Sequence, residues 1–152
     1  MKPETLEIKA GIQIQKPIHE VFEAIVDPDK MSNYFIAYGS DRMEENKQVT
    51  WRFPELDENV PVRIGKIIKD EYISYHWNNG KNEMLVEMKL TQRGSDTVVM
   101  ITEKSAKNDE TGIKWLAGNT EGWANFLACL KAWVEYGIHL RKGAFDYRFE
   151  QK

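Results

Sequence analysis

A chain of 152 residues with 41% apolar and 30% charged side chains can bury one domain core, and it has no apolar run long enough to span a membrane. The net charge of −3, with both signs scattered along the chain, offers no basic face for nucleic acid and no polybasic patch for a membrane surface. Cys129 is the single cysteine, which excludes an intramolecular disulfide and a cysteine-based zinc site; the polar start Met1–Glu7 lacks the apolar core of a signal peptide, so a cytoplasmic protein is expected.

From Glu7 to Gln15 the chain alternates, with Ile8, Ala10, Ile12 and Ile14 on one face and Lys9, Gln13 and Gln15 on the other, as a half-buried strand does. Pro17 suits the opening of a helix, where its missing N–H is harmless. Ile18, Val21, Phe22, Ile25 and Val26 form the buried stripe of that helix, and Asp27-Pro28 ends it. Asp29 is placed to cap a second short turn through Lys30, Met31 and Asn33, after which Tyr34 and Phe35 turn the chain back.

Strands and turns follow up to about residue 104. Val49, Trp51 and Phe53 alternate with Thr50 and Arg52, and Pro54 with the acidic stretch Glu55 to Glu58 forms a loop. Val60, Val62 and Ile64 alternate before Gly65, which marks a bulge because Ile67 and Ile68 shift the parity. Ile73, Tyr75 and Trp77 make a further strand closed by the turn signal Asn78-Asn79-Gly80. Met84, Val86, Met88 and Leu90 alternate with Glu87 and Lys89, and Arg93-Gly94-Ser95-Asp96 is the next hairpin turn. In the last strand, Thr97 to Glu103, the run Val98 to Ile101 suggests burial on both faces and leaves the parity open.

The stretch after Asn108-Asp109, either of which can cap it, carries the strongest pattern. Leu116, Trp123, Leu130 and Gly137 recur every seven residues with Thr120, Leu127 and Val134 between them, which is one face of a long helix. Phe126 and Trp133 widen the stripe, while Glu121, Asn125, Glu135 and His139 mark the wet side. Gly118-Asn119-Thr120 is a potential break, and Gly143 after Arg141-Lys142 a credible stop. The tail Phe145 to Phe149 reads as a short strand or as a strap packed back on the fold.

A strand, two short helices, a meander of strands and one long C-terminal helix make an α+β chain that resembles the helix-grip fold of the START-like superfamily. Within that group it resembles the family named for the activator of Hsp90 ATPase. The likeness is carried by Ile14 to Pro28, by Ile73 to Trp77 with Met84 to Leu90, Gly94 and Thr97 to Ile101, and by Gly122-Trp123 followed by Phe126, Leu127, Leu130 and Lys131. It spans roughly residues 8 to 141 and rests on the order and spacing of these segments; the Tyr34-Phe35 pair stands where many members carry a tryptophan. The resemblance implies a curved antiparallel sheet wrapped around the C-terminal helix, in a single START-like domain over residues 1–152. The family is functionally mixed, so it implies fold more firmly than function.

A helix of roughly thirty residues spans ~45 Å, more than a curved sheet packs evenly, and the superfamily's usual consequence is a cavity between helix and sheet. Its candidate walls are Trp51, Phe53, Val62, Ile64, Tyr75, Trp77, Met84, Val86, Met88, Trp123, Phe126, Leu127 and Leu130. Such walls suit a small apolar or amphipathic molecule, although the same side chains serve equally as ordinary core. No cofactor or metal is expected, nor nucleic acid as a partner. His19 and Glu23 lie four apart on the first helix without a third ligand, and His76 becomes a candidate general base only if it faces the cavity. Arg52, Arg63, Glu87 and Glu103 are strand charges expected in solvent, any one of which would hold a ligand's polar group if turned inward. Cys129 reads as buried filler. The leading expectation is a non-enzymatic binding protein, followed by a cochaperone-like protein-interaction domain that would use the outer sheet face and the acidic loops around Glu44-Glu45 and Asp57-Glu58, and then by a cyclase- or hydrolase-type enzyme.

Overall fold

The computed structural model describes residues 3–78 and 82–149. Strand β1 (Thr5–Ile14) leads into helix α1 (Ile18–Val26) and the short α2 (Pro28–Met31). The meander β2 (Tyr38–Gly39), β3 (Gln48–Arg52), β4 (Val60–Ile68), β5 (Tyr72–Asn78), β6 (Glu83–Arg93) and β7 (Asp96–Lys107) follows, and α3 (Glu110–Tyr136) closes the chain before a 3-10 turn at Asp146–Arg148. All strand pairs are antiparallel and the sheet runs β1-β7-β6-β5-β4-β3-β2, so α1 and α2 carry the chain from one edge strand to the other. Between sheet and α3 lies the core, to which α1 adds Val21, Phe22, Ile25 and Val26. Each buried Leu-, Ile- or Met-sized side chain contributes about 1.5–3 kcal/mol.

The alternation read in β3, β4, β5 and β6 is the alternation observed, with Val49, Trp51, Val62, Ile64, Ile73, Tyr75, Met84, Val86, Met88 and Leu90 buried. At Gly65 the register between β4 and β5 shifts, as a bulge requires, and a side chain there would meet the Ser74 hydroxyl at 2.7 Å. Asn79 and Gly80 of the expected turn lie outside the described residues.

Several boundaries differ from the sequence reading for local reasons. Asp27, not Asp29, caps α2: its carboxylate accepts from the Asp29 backbone N–H at 2.9 Å, with Pro28 in the first turn. Strand β7 is buried on one face only, since Met100 is 41% exposed while Val99, Ile101 and Glu103 are enclosed. Helix α3 runs unbroken through Gly118-Asn119-Thr120; there the Thr120 hydroxyl donates to the Leu116 carbonyl at 2.5 Å and Asn119 reaches into the fold. Asp109 caps its start by accepting from the Gly112 N–H at 2.8 Å, while Asn108 instead donates to the Pro3 carbonyl. The helix ends at Gly137 rather than Gly143: Gly137 sits at φ 66°, its N–H donates to the Trp133 carbonyl and that of Ile138 to the Ala132 carbonyl. His139 therefore belongs to the tail, and the tail packs as turns and not as a strand. Glu135, read as wet, is 4% exposed in its side chain because it pairs with Lys131 and accepts the Gln15 backbone N–H, tying α3 to the end of β1.

Candidate binding site beneath the long helix

The heptad pattern that makes α3 amphipathic turns Trp123 and Phe126 toward the sheet. Parity in β3 and β5 brings Trp51, Tyr75 and Trp77 up to meet them, and Phe53 follows directly after β3. The chain leaving α2 inserts Tyr34 and Phe35 between the two layers. Tyr34 is fully buried and donates its hydroxyl to the Ala24 carbonyl at 2.8 Å. The Phe35 ring packs against Phe126, Phe53 and Trp51, with centroids 4.7, 5.1 and 5.7 Å away. Trp77 lies 5.8 Å from Trp123 and 5.4 Å from Tyr75, mostly in the edge-on or tilted geometries that aromatic quadrupoles favour.

Behind this cluster sits a carboxylate. Glu103 of β7 is 0% exposed and faces the helix, opposite Val86. Its Oε1 accepts from the Trp123 indole N–H at 2.8 Å and from the Asn119 amide at 3.1 Å, and its Oε2 accepts from the Trp77 indole N–H at 2.8 Å. Among the described residues no Lys, Arg or His pairs with it. Burial, then the Glu103 charge, pushes the Tyr75 phenol well above its ordinary range. The Tyr75 hydroxyl and Trp51 indole N–H are buried with no hydrogen-bond partner among the described residues.

A pocket of about 400 Å³ opens between α3, the loop after β3 and the C-terminal tail, walled by Phe35, Phe53, Trp77, Phe126, Phe145 and Phe149. An open recess of about 150 Å³ adjoins it, lined by Phe35, Phe53, Trp77, Trp123, Asn119 and Gly122. The tail is held across the opening by ion pairs. Arg141 clasps Glu55 at 2.8 and 2.9 Å with both side chains at most 12% exposed, and Arg148 reaches Glu121 at 2.6 Å. Cys129 lies at the pocket wall, and burial raises its thiol pKa, which makes it a poor nucleophile.

Of the side chains expected to wall a cavity, Phe53, Trp77 and Phe126 border the pocket and Trp123 its recess. Trp51, Val62, Ile64, Tyr75, Met84, Val86, Met88, Leu127 and Leu130 are closed in the core beneath and border neither space. The physical reason is that Met31, Tyr34 and Ile36, all at most 2% exposed, fill the interlayer space a deeper cavity would need. His76 has Arg63 and Leu85 as cross-strand neighbours, on the face opposite Tyr75 and Trp77. His19 pairs with Asp70 and Glu23 with Arg42, so the two do not share a ligand. Among the described residues no three His, Cys, Asp or Glu side chains are grouped to hold a metal ion. Glu87 takes the Tyr72 hydroxyl and Lys104, Arg63 takes Glu83, and Arg52 lies 5.2 Å over the Tyr38 ring.

Glu103, expected in solvent, is instead fully buried on the inner face, and sequence reading gave no site role to Phe35, Asn119 or the Glu55–Arg141 clasp. For Glu103 the signal was present: pairing outward from the Gly94-Ser95 turn sets it opposite Val86, on the inner face. The clasp joins residues far apart in sequence and leaves no periodic trace.

Seven antiparallel strands, with first and last adjacent and one long helix gripped against them, define a START-like helix-grip protein. Residues 15–135 match the family described as Activator of Hsp90 ATPase homolog 1-like protein, and the chain belongs to that family. The crystal structure of SSP2350 from Staphylococcus saprophyticus is 31% identical, with a TM-score of 0.80 over 90% of this chain and 96% of that one. The solution structures of BH1534 from Bacillus halodurans (TM-score 0.75; 87% and 99% covered) and of the Aha1 dimer from Colwellia psychrerythraea (0.74; 87% and 98%) are each 17% identical and share the fold. No curated protein matches the chain. No helix among the described residues is long and apolar enough to cross a membrane.

Proposed function

We propose that this chain is a non-enzymatic, cytoplasmic binding protein, acting as one START-like domain, that holds a small apolar or amphipathic molecule in the pocket beneath α3. The observation that carries the reading is the pocket itself: about 400 Å³, walled mainly by aromatic rings and crossed by a tail anchored through ion pairs. That volume falls within the roughly 300–1,000 Å³ usual for small-molecule sites, and few convergent polar groups are the usual complement to apolar walls. Native mass spectrometry of freshly purified protein beside a denatured control tests it, together with titration of the neutral fluorophore N-phenyl-1-naphthylamine. A mass that leaves on denaturation, or saturable fluorophore binding weakened about tenfold by Phe53→Asp in a folded variant, supports the reading. A clean mass combined with no saturable binding overturns it.

A second reading, contact with a protein partner, is favoured by Tyr136, Ile138, Leu140, Tyr147 and Phe149, which are 48–66% exposed along the end of α3 and the tail. Sedimentation at rising concentration separates self-association from a monomer that needs another chain.

A further inference from the structure

The recess differs in chemistry from the rest of the pocket. Trp77 and Trp123 turn their N–H edges to Glu103, which leaves ring carbons and π faces to line the space, and Phe35 and Phe53 complete the wall. At about 150 Å³ the recess has the size that admits one benzene ring. Immediately behind the indoles lies a fully buried carboxylate satisfied by neutral donors. A carboxylate accepting from an indole N–H polarises that ring and makes its face more negative, and low polarity lengthens the reach of the charge. Anion and rings therefore act in the same sense, toward a positive group.

The pocket's remaining charges fit this pattern. Charged lining residues are Glu55, from the body of the fold, and Arg141 and Arg148, from the tail. Both arginines are spent on carboxylates of the body, Arg141 on Glu55 and Arg148 on Glu121. The Arg148 guanidinium also stacks 4.6 Å over the Phe145 ring. With the tail set aside, what faces an incoming molecule is aromatic and acidic; the tail supplies cations to it.

We propose, building on the small-ligand reading above, that the site takes an amphipathic amine: a quaternary or protonated ammonium head in the recess among Phe35, Phe53, Trp77 and Trp123, with an apolar body along the larger pocket. The tail's guanidiniums compete with that head for the same acidic, aromatic surroundings. A ligand carboxylate is disfavoured, since it would approach Glu103 and have to displace Glu55 from Arg141.

The test compares three matched probes, 4-phenylbutyltrimethylammonium, 4-phenylbutanol and 4-phenylbutyrate, by calorimetry and tryptophan fluorescence on the full chain. The ammonium is expected to bind about tenfold more tightly than the alcohol, with the butyrate weakest. Glu103→Gln, checked for a cooperative melt, should erase the preference for the cation while alcohol binding persists; Trp77→Leu, which removes part of the wall itself, should weaken all three probes and the ammonium most. Arg148→Gln, outside the recess but on the pocket wall, should raise the ratio of ammonium to alcohol affinity several-fold. Equal binding of ammonium and alcohol overturns the amine assignment and spares the pocket. Tightest binding by butyrate also overturns it and points to the tail arginines. No binding by any probe, in wild type or Arg148→Gln, removes the amine assignment and the pocket reading together.

Discussion

Replacing Glu103 with glutamine changes one oxygen to an NH₂ group in a site where every neighbour is a donor. The side-chain carbonyl would keep the two donors now on Oε1, Trp123 at 2.8 Å and Asn119 at 3.1 Å. Its amide nitrogen would then confront the Trp77 indole N–H, which now donates at 2.8 Å to Oε2. A hydrogen bond to a charged group contributes roughly 1.5–3 kcal/mol, and a buried donor left without a partner costs about 1–3 kcal/mol. Part of this is offset because a neutral amide is cheaper to bury than a carboxylate. The expected net loss is about 1–3 kcal/mol, or a melting temperature lower by roughly 2–12 °C in a chain of this size. Urea unfolding followed by near-UV circular dichroism reads the first quantity, and the Trp77 indole proton resonance reports the lost bond. A double-mutant cycle with Trp77→Phe should give a coupling of roughly 0.5–3 kcal/mol. Stability within about 0.5 kcal/mol of wild type, the spread of ordinary surface changes, with an unshifted indole resonance would refute the view that this network anchors α3 to β7.

Glycine substitutions on α3 should split by position. A Cβ at Gly112 would lie 1.9 Å from the Lys107 carbonyl oxygen, so Gly112→Ala should cost at least about 1–3 kcal/mol, whereas Gly118 has open space and Gly118→Ala should stabilise by about 0.5–1 kcal/mol in the same thermal melts. Arg141→Gln leaves Glu55 enclosed without its guanidinium, so hydrogen exchange in residues 137–149 should quicken by about tenfold or more while β5 and β6 exchange as before; unchanged protection would deny the clasp its role. Acid should weaken the fold through Glu23, held below the ordinary carboxylate value by its hydrogen bond and charge pairing with Arg42, and Glu87, held low by the Tyr72 hydroxyl and Lys104. In both, the folded state binds protons less readily than the unfolded one, so the stabilisation is complete above the unfolded value near 4.5 and lost as pH falls through the lowered folded values. Denaturant titrations from pH 6 down to pH 3 should show that decline, shallower in a Glu23→Gln/Glu87→Gln variant; equal slopes would dismiss these two groups as its source.

The architecture was legible because its signals are local and periodic. Alternation from Ile8 to Ile14 and from Met84 to Leu90, the heptad stripe through Trp123 and Leu130, and the bulge at Gly65 each follow from one element meeting one buried face. The pocket opens instead between α3, the loop after β3 and the tail, where no stripe points. Its walls were only partly legible. Phe53, Trp77, Phe126 and Trp123 border it, but alternation reports that a residue faces inward without reporting what it meets there.

By itself, then, the sequence determined which faces of β1, β3 to β6 and the long helix are apolar and the order in which strands and helices follow along the chain, because hydrophobic period and turn chemistry act within a few residues. Tertiary structure alone decided that Tyr34 and Met31 fill the deep interlayer space, that Glu103 finds Trp77, Trp123 and Asn119, and that Arg141 crosses to Glu55. Those contacts depend on how the sheet curves and on which rotamers fit, and they join residues whose separation along the chain carries no pattern.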